Sequence, residues 1–261
     1  MSPDAATPSG AAFGEVAERV APRLYRMATR MCGNLDDAQD LVQETLLQGF
    51  RKWEQFEGRS DPATWLYTIA GRLCQRRHRR RAGEPRTLEP LTDLLPLPTD
   101  PVVAVPVGND PAAMQVRQDA ERTVSIALTQ LPTAFRLPLV LADIAELTTA
   151  EIAQVLGLKE ATVKTRIHRA RLKLRRALLQ HLPSRSAPPP NHDRQVCLDL
   201  LQAKQDSLDR GVPFGFSSQE LCARCQAVFA TLDLGRDACV GVSSGELPPA
   251  LQALLRRHRA R

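Results

Sequence analysis

Leu147-Thr148-Thr149-Ala150-Glu151-Ile152-Ala153-Gln154-Val155-Leu156-Gly157-Leu158 reads as a capped helix that ends at a glycine turn, and Lys159 to Arg176 reads as a second, strongly basic helix. Ala153, Gly157 and Val163 supply the small and apolar surface on which two helices cross closely, the arrangement of a helix-turn-helix. In that motif the start of the second helix enters the major groove. Glu160, Thr162, Lys164, Thr165 and Arg166 then face base edges or phosphates, and Arg169, Arg171 and Lys173 run along the backbone. The competing reading is a solvated basic helix on a small bundle.

Working outward from this motif, helical periodicity holds from about Met114 to Leu182, and an earlier helical stretch runs from Ala12 to about Arg81. Between them prolines recur at 85, 90, 96, 98, 101, 106 and 111, which removes backbone donors and forbids continuous helix. A second break falls at Pro183 and Pro188 to Pro190. The expected architecture is all-α: a helical domain over 12–82, a flexible Pro-rich linker over 83–112, a helix-turn-helix domain over 113–182, and a small helical Cys-rich module over 191–261. In that module Asp193 is a candidate cap, and Ser217-Ser218-Gln219-Glu220 has capping-box spacing ahead of a helix that puts Cys222 and Cys225 on one face.

The formal net charge is +6, concentrated in two arginine-rich stretches, which points to a polyanionic partner, nucleic acid before membrane. No run approaches the ~20 apolar residues of a membrane span, and the N-terminus has neither a basic start nor an apolar core, so the expected location is cytoplasmic. In a reducing compartment a cysteine cluster indicates metal or redox chemistry rather than disulfides, and four of the six cysteines lie beyond residue 190. Without a nucleophile–base grouping or a phosphate-binding glycine loop, an enzyme is not expected.

In the first domain, Asp36 to Thr45 begins a helix that buries Leu41, Val42, Thr45 and Leu46 and presents Asp40, Gln43 and Glu44 as an exposed acidic and amide-bearing strip. Downstream lie Phe56-Glu57-Gly58-Arg59-Ser60, the aromatic Ala63-Thr64-Trp65-Leu66-Tyr67-Thr68-Ile69-Ala70, and Arg72 with the run Arg76-Arg77-His78-Arg79-Arg80-Arg81. A basic helix beside aromatics and a polar loop suits DNA whose strands are being separated. Trp65 and Tyr67 read equally as core, and for Trp65 core is the preferred reading.

Asp37 to Thr45, then Trp65 to Ala70 and the arginine run, resembles region 2 of extracytoplasmic-function (ECF) sigma factors. Leu131-Pro132, Glu151-Ile152-Ala153 and Thr162 to Arg171 resemble their region 4. The resemblance implies a sigma factor that directs promoter-specific initiation, with core RNA polymerase and promoter DNA as partners and an anti-sigma factor as an optional third. It assigns Asp40, Gln43 and Glu44 to the polymerase contact. It assigns the Glu57 to Ser60 loop, with Gly58, Arg59 and Ser60, to capture of a flipped base of the −10 element. By charge Arg72, Arg76, Arg77, Arg79 and Arg80 are expected beside that element, and the helix-turn-helix reading places Glu160, Thr162, Lys164, Thr165, Arg166, Arg169 and Arg171 at the −35 element. One departure stands out: where the family has asparagine after Ile-Ala-Arg, this chain has Arg72 after Ile69-Ala70-Gly71, so −10 readout does not carry over to that residue.

Cys197, Cys222, Cys225 and Cys239 look like the cysteine-rich extension of metal-responsive members of this family. Four thiolates would close a tetrahedral site for zinc and would also suit cadmium or monovalent copper, with His192 as a substitute ligand. The sigma function itself needs no cofactor. A rival reading is a metal-sensing repressor or activator that acts without polymerase; the alternative for the cysteines is packing as small core hydrophobes.

Overall fold

The computed structural model describes residues 10–79, 89–105, 108, 110–217, 219–241 and 246–259. Helices α1 (Gly10–Cys32), α2 (Leu35–Arg51) and α3 (Pro62–Arg79) form the first bundle, with a 3-10 turn, Trp53–Gln55, between α2 and α3. Asn34 caps α2 by accepting the Asp37 N–H at 2.8 Å. Along α2 Leu41, Val42, Thr45 and Leu46 are buried, as their spacing predicts. The bunched aromatics close the bottom of this bundle. Trp53 lies against Phe13, Phe56 and Trp65 with ring centroids 5.3, 5.2 and 5.9 Å away, so Trp65 belongs to the packing, although it stays half-buried.

The proline-rich stretch is more ordered than a flexible linker. Residues 91–94 form the short helix α4 (Leu91–Leu94), and β1 (Val102–Val103) pairs antiparallel with β2 (Ser184–Arg185). Leu94, Val102 and Val103 are buried. Pro22 and Pro138 each sit singly inside a helix, but a run of prolines disfavours helix and suits an extended strap, and the aliphatic residues between the prolines give that strap an apolar face to bury.

Helices α5 (Pro111–Gln130), α6 (Thr133–Asp143), α7 (Thr149–Leu156) and α8 (Glu160–His181) make the second bundle. Thr148 and Glu151 form a reciprocal capping box at the start of α7. Gly157, at φ +65, ends it in the left-handed region that an L side chain adopts only with strain. Beyond β2 the tether Ala187 to Pro190 leads to α9 (Arg194–Asp209), capped by Asp193 on the Val196 N–H at 2.9 Å, then α10 (Ala223–Gly241) and α11 (Pro249–Arg259).

This last unit is not a separate module. Helix α10 packs against α5, α6 and α8, α11 lies on α1 and α2, and α3 lies on α7. The α3–α7 contact runs through Gly71, where a Cβ would sit 3.5 Å from Val155 and 3.7 Å from Leu156. Most of α10 is buried, including Cys225, Val228, Phe229, Leu232, Leu234 and Cys239, and only a narrow stripe with Gln226, Asp233 and Asp237 faces outward. A helix buried around most of its circumference requires neighbours on more than one face. Among the described residues, no helix is long and apolar enough to cross a membrane.

Candidate nucleic-acid interface and thiol cluster

Helix α8 carries the predicted groove-facing residues, and most of its cations already hold oxygen atoms of this chain. At its start Glu160 accepts the Thr149 hydroxyl at 2.6 Å, which ties α7 to α8. Thr162 is half-buried and Thr165 exposed. Lys164 pairs with Asp206 at 2.9 Å. Arg166 has no ion-pair partner among the described residues. Further along, Arg169 donates to the Glu89 carbonyl at 3.0 Å, Lys173 pairs with the Glu89 carboxylate at 2.5 Å, and Arg176 joins the same carboxylate.

Arg171 does not run along a DNA backbone in this structure. It is a buried ion pair, 2.8 Å from Asp143 and 2.5 Å from Asp209, and His168 completes the group at 2.8 Å from Asp209. Burial works against the Asp209 carboxylate, but His168 and Arg171 outweigh it and hold the group below the usual carboxylate range. His168, Asp206 and Asp209 bring three donor atoms within 4.8 Å of one another. Lys164 and Arg171 already supply the positive charge there, so the cluster is an ion-pair network within the chain.

On the first bundle the expected strip is accessible. Asp40 and Gln43 are exposed, and half-buried Glu44 accepts the Gln48 amide at 2.6 Å. Gly58 turns the following loop at φ +68, and exposed Arg59 pairs with Glu57 beside half-buried Ser60. Arg72 and Arg76 reach solvent, and Arg77 donates to the Asp37 carbonyl at 3.1 Å. The side chain of Arg79 and the whole of Arg80 lie outside the described residues.

The structure places Cys222 and Cys197 each beside Cys225, although the three sulfurs do not all lie within 4.8 Å of one another. Cys222 precedes α10, so the expected shared helix face becomes a cap and a first turn. Glu220 accepts from the Ser217 N–H and O–H at 2.8 and 2.7 Å, forming a local turn ahead of the helix. The Cys225 N–H donates to Cys222 Sγ at 3.4 Å. Burial disfavours the Cys222 thiolate, but donors from Asn191, Cys225 and Arg224 outweigh that and lower its pKa. Burial and the neighbouring sulfurs of Cys222 and Cys197 push Cys225 up to about 12. His192, Cys197 and Cys225 line one pocket of about 110 Å3. Cys239 lies apart. It is 14 residues beyond Cys225 on the same helix, about 21 Å at 1.5 Å per residue, and it is packed in the main core beside Arg30 and Asp143.

Two family models match this chain, "Sigma-70 region 2" over residues 16–84 and "Sigma-70, region 4" over residues 125–174. The ECF RNA polymerase sigma factor SigW of Bacillus subtilis is 31% identical over 173 residues, covering 64% of this chain and 89% of SigW. The chain belongs to the ECF RNA polymerase sigma factor family. The ECF sigma factor SigE of Mycolicibacterium smegmatis is 38% identical over 182 residues, and SigG of Mycobacterium tuberculosis is 33% identical over 244; the matches span 64% and 57% of those proteins, less than two thirds of either. A co-crystal structure of sigma factor RpoE with the anti-sigma factor NepR from Bartonella quintana aligns at TM-score 0.46 and 25% identity, covering 64% of this chain and 96% of RpoE. The two matched regions are α1–α3 and the helix-turn-helix bundle, and neither family match extends past residue 174.

Proposed function

We propose that this sigma factor docks on core RNA polymerase through Asp40, Gln43 and Glu44, engages the −10 element with the Gly58–Ser60 loop and α3, and reads the −35 element with the start of α8. It acts in the cytoplasm as a binding subunit and catalyses no step itself. The observation that carries this reading is the two-faced helix α2: one face is core, while Asp40 and Gln43 on the other stay exposed in a body where most cations of the basic helix α8 are already paired. A solvated acidic strip of this kind contributes little to stability, which leaves it free to serve a partner.

A thiophilic ion, zinc, cadmium or monovalent copper, completes the reading, held by Cys197, Cys222 and Cys225 with His192 as the fourth ligand. The donor types fit, since three soft sulfurs and an imidazole make a closed structural set. The side chains would draw in around the ion, because their ligand atoms do not all lie within 4.8 Å of one another. The N–H donors around Cys222 lower its pKa and so ease formation of the thiolate ligand. Cys225 is kept protonated by burial and its sulfur neighbours, a bias that a cation reverses. Because Cys197 sits on α9 and the Cys222–Cys225 pair opens α10, occupancy fixes one helix against the other.

The test is run-off transcription with purified core polymerase, repeated with zinc, cadmium and copper, alongside metal content by mass spectrometry. Promoter-dependent transcripts that require this chain, and whose yield changes with one of the metals, are expected. Absence of any transcript together with failure to bind core polymerase would sink the sigma-factor reading.

A further inference from the structure

Arg30 belongs to region 2, yet its buried guanidinium is spent on the other two parts of the chain. Nε donates to the Cys239 carbonyl at 3.0 Å and Nη2 to the Ala238 carbonyl at 2.8 Å, while Nη1 donates to Ser125 Oγ of α5 at 2.5 Å. The two carbonyls belong to the last turn of α10, whose partial negative charge favours a cation. One side chain thus joins region 2, region 4 and the C-terminal unit.

The same unit reaches the −35 helix. Asp206 of α9 takes Lys164, and Asp209 takes Arg171 and His168. From the proline-rich strap, Glu89 takes Lys173 and Arg176, and Asp100 lies 3.7 Å from Arg175. Own-chain carboxylates therefore occupy cations that duplex phosphates would need.

Size completes the argument. Elements centred near −10 and −35 are about 25 base pairs apart, roughly 85 Å of duplex at about 3.4 Å per step. A closed body of 261 residues has a radius of gyration of about 18 Å and is about 50 Å across. Regions 2 and 4, packed through Gly71 and bolted by Arg30, cannot reach both elements at once.

We propose that residues 191–259, together with the strap, form a built-in inhibitor: α10 clasps region 2 to region 4, Arg30 is its bolt, and the carboxylates of Asp206 and Glu89 mask the −35 helix until the clasp opens. This inference rests on the sigma-factor reading. Because Asp40 and Gln43 remain exposed, the lock acts on DNA recognition and leaves polymerase docking open.

The test uses the full chain. The Glu89→Gln/Asp206→Asn variant removes two partly exposed carboxylates, and Glu54→Gln/Asp199→Asn, at exposed positions away from α8, is the charge-matched control. Binding of a 40-base-pair duplex is read by fluorescence anisotropy at low salt. The masked-site variant is expected to bind at least tenfold tighter than the control, with a salt slope steeper by about two, one unit for each added phosphate contact. In parallel, Arg30→Gln is expected to expand the radius of gyration in small-angle scattering by several ångströms. Arg30→Lys, which keeps the charge without the two-carbonyl geometry, replaces it if the glutamine variant does not fold. Duplex affinity equal to the control, or a folded Arg30 variant with wild-type dimensions, overturns the clasp. Pull-down of core polymerase by the same proteins separates the two ideas: retained pull-down with flat duplex affinity rejects the clasp alone, and lost pull-down by wild type rejects the sigma-factor reading.

Discussion

Helix α3 carries Arg72 and Arg76 into solvent, whereas α8, with a denser run of cations, commits Lys164, Arg171, Lys173, Arg175 and Arg176 to carboxylates of its own chain. The two helices look equally suited to polyanions in sequence. In the folded chain only one is open, and what separates them is the acidic cover that α9 and the strap lay over α8. A basic run therefore measures capacity for nucleic acid, and the fold decides its availability.

The largest effect should come from the open side. Reversing charge with Asp40→Lys and Glu44→Lys is expected to lower binding of core polymerase by more than about 100-fold in a pull-down titration, while stability in urea changes by only about 0.5 kcal/mol, since surface positions contribute little. Undiminished binding would erase the functional contrast between the two bundles.

On the covered side, Cys222→Ser and Cys225→Ser should each abolish bound zinc as read by mass spectrometry of the purified protein. Cys239→Ser should keep the metal and instead lose about 1–3 kcal/mol, because it places a more polar group in a fully buried site beside Arg30 and Asp143 that is not arranged for its hydrogen bonds. Metal loss in the Cys239 variant equal to that of the pair would return Cys239 to the ligand set.

Gly71 tests the junction between the two bundles. Gly71→Arg, which supplies the side chain the family has there, should wedge α3 from α7 and cost about 1–3 kcal/mol in urea denaturation. Gly71→Ala should be neutral or stabilise by up to about 1 kcal/mol, since its Cβ meets ordinary contact distances.

The smallest effect concerns acid. Asp209 has its folded pKa depressed chiefly by His168 and Arg171 against the cost of burial, so its contribution is present above the unfolded carboxylate value of about 3.9 and is lost as pH falls through the folded value. Thermal melts between pH 7 and 3 should show this loss below about pH 4, and Asp209→Asn should flatten it.

How much of this was legible follows the range of the interactions involved. The α2 strip, the cap at Thr148 and the turn at Gly157 depend on residues within four positions of each other, and periodicity exposes them directly. Arg171 was read as a backbone contact because its partners Asp143 and Asp209 lie 28 and 38 positions away. No local pattern separates a buried arginine from a solvated one in a basic run. The thiol set failed at one member for a related reason: Cys239 shares a helix with Cys225, and once that helix is continuous its length alone keeps the two apart. The signal the sequence carries is α10 itself, whose apolar residues cover all but a narrow stripe of Gln226, Asp233 and Asp237, as in a helix enclosed on most sides by the rest of the chain.

The tether Ala187 to Pro190 keeps α9 in the same polypeptide as regions 2 and 4, so no second chain has to be recruited. Translation therefore delivers one copy of the α9–α11 unit with every copy of regions 2 and 4, whatever the level of expression. A cell that doubles the gene doubles both and leaves their ratio at one, so the threshold for release is insensitive to dosage and to fluctuations between siblings. Tuning it requires a change in sequence, at Glu89, Asp206 or Arg30, rather than a change in promoter strength.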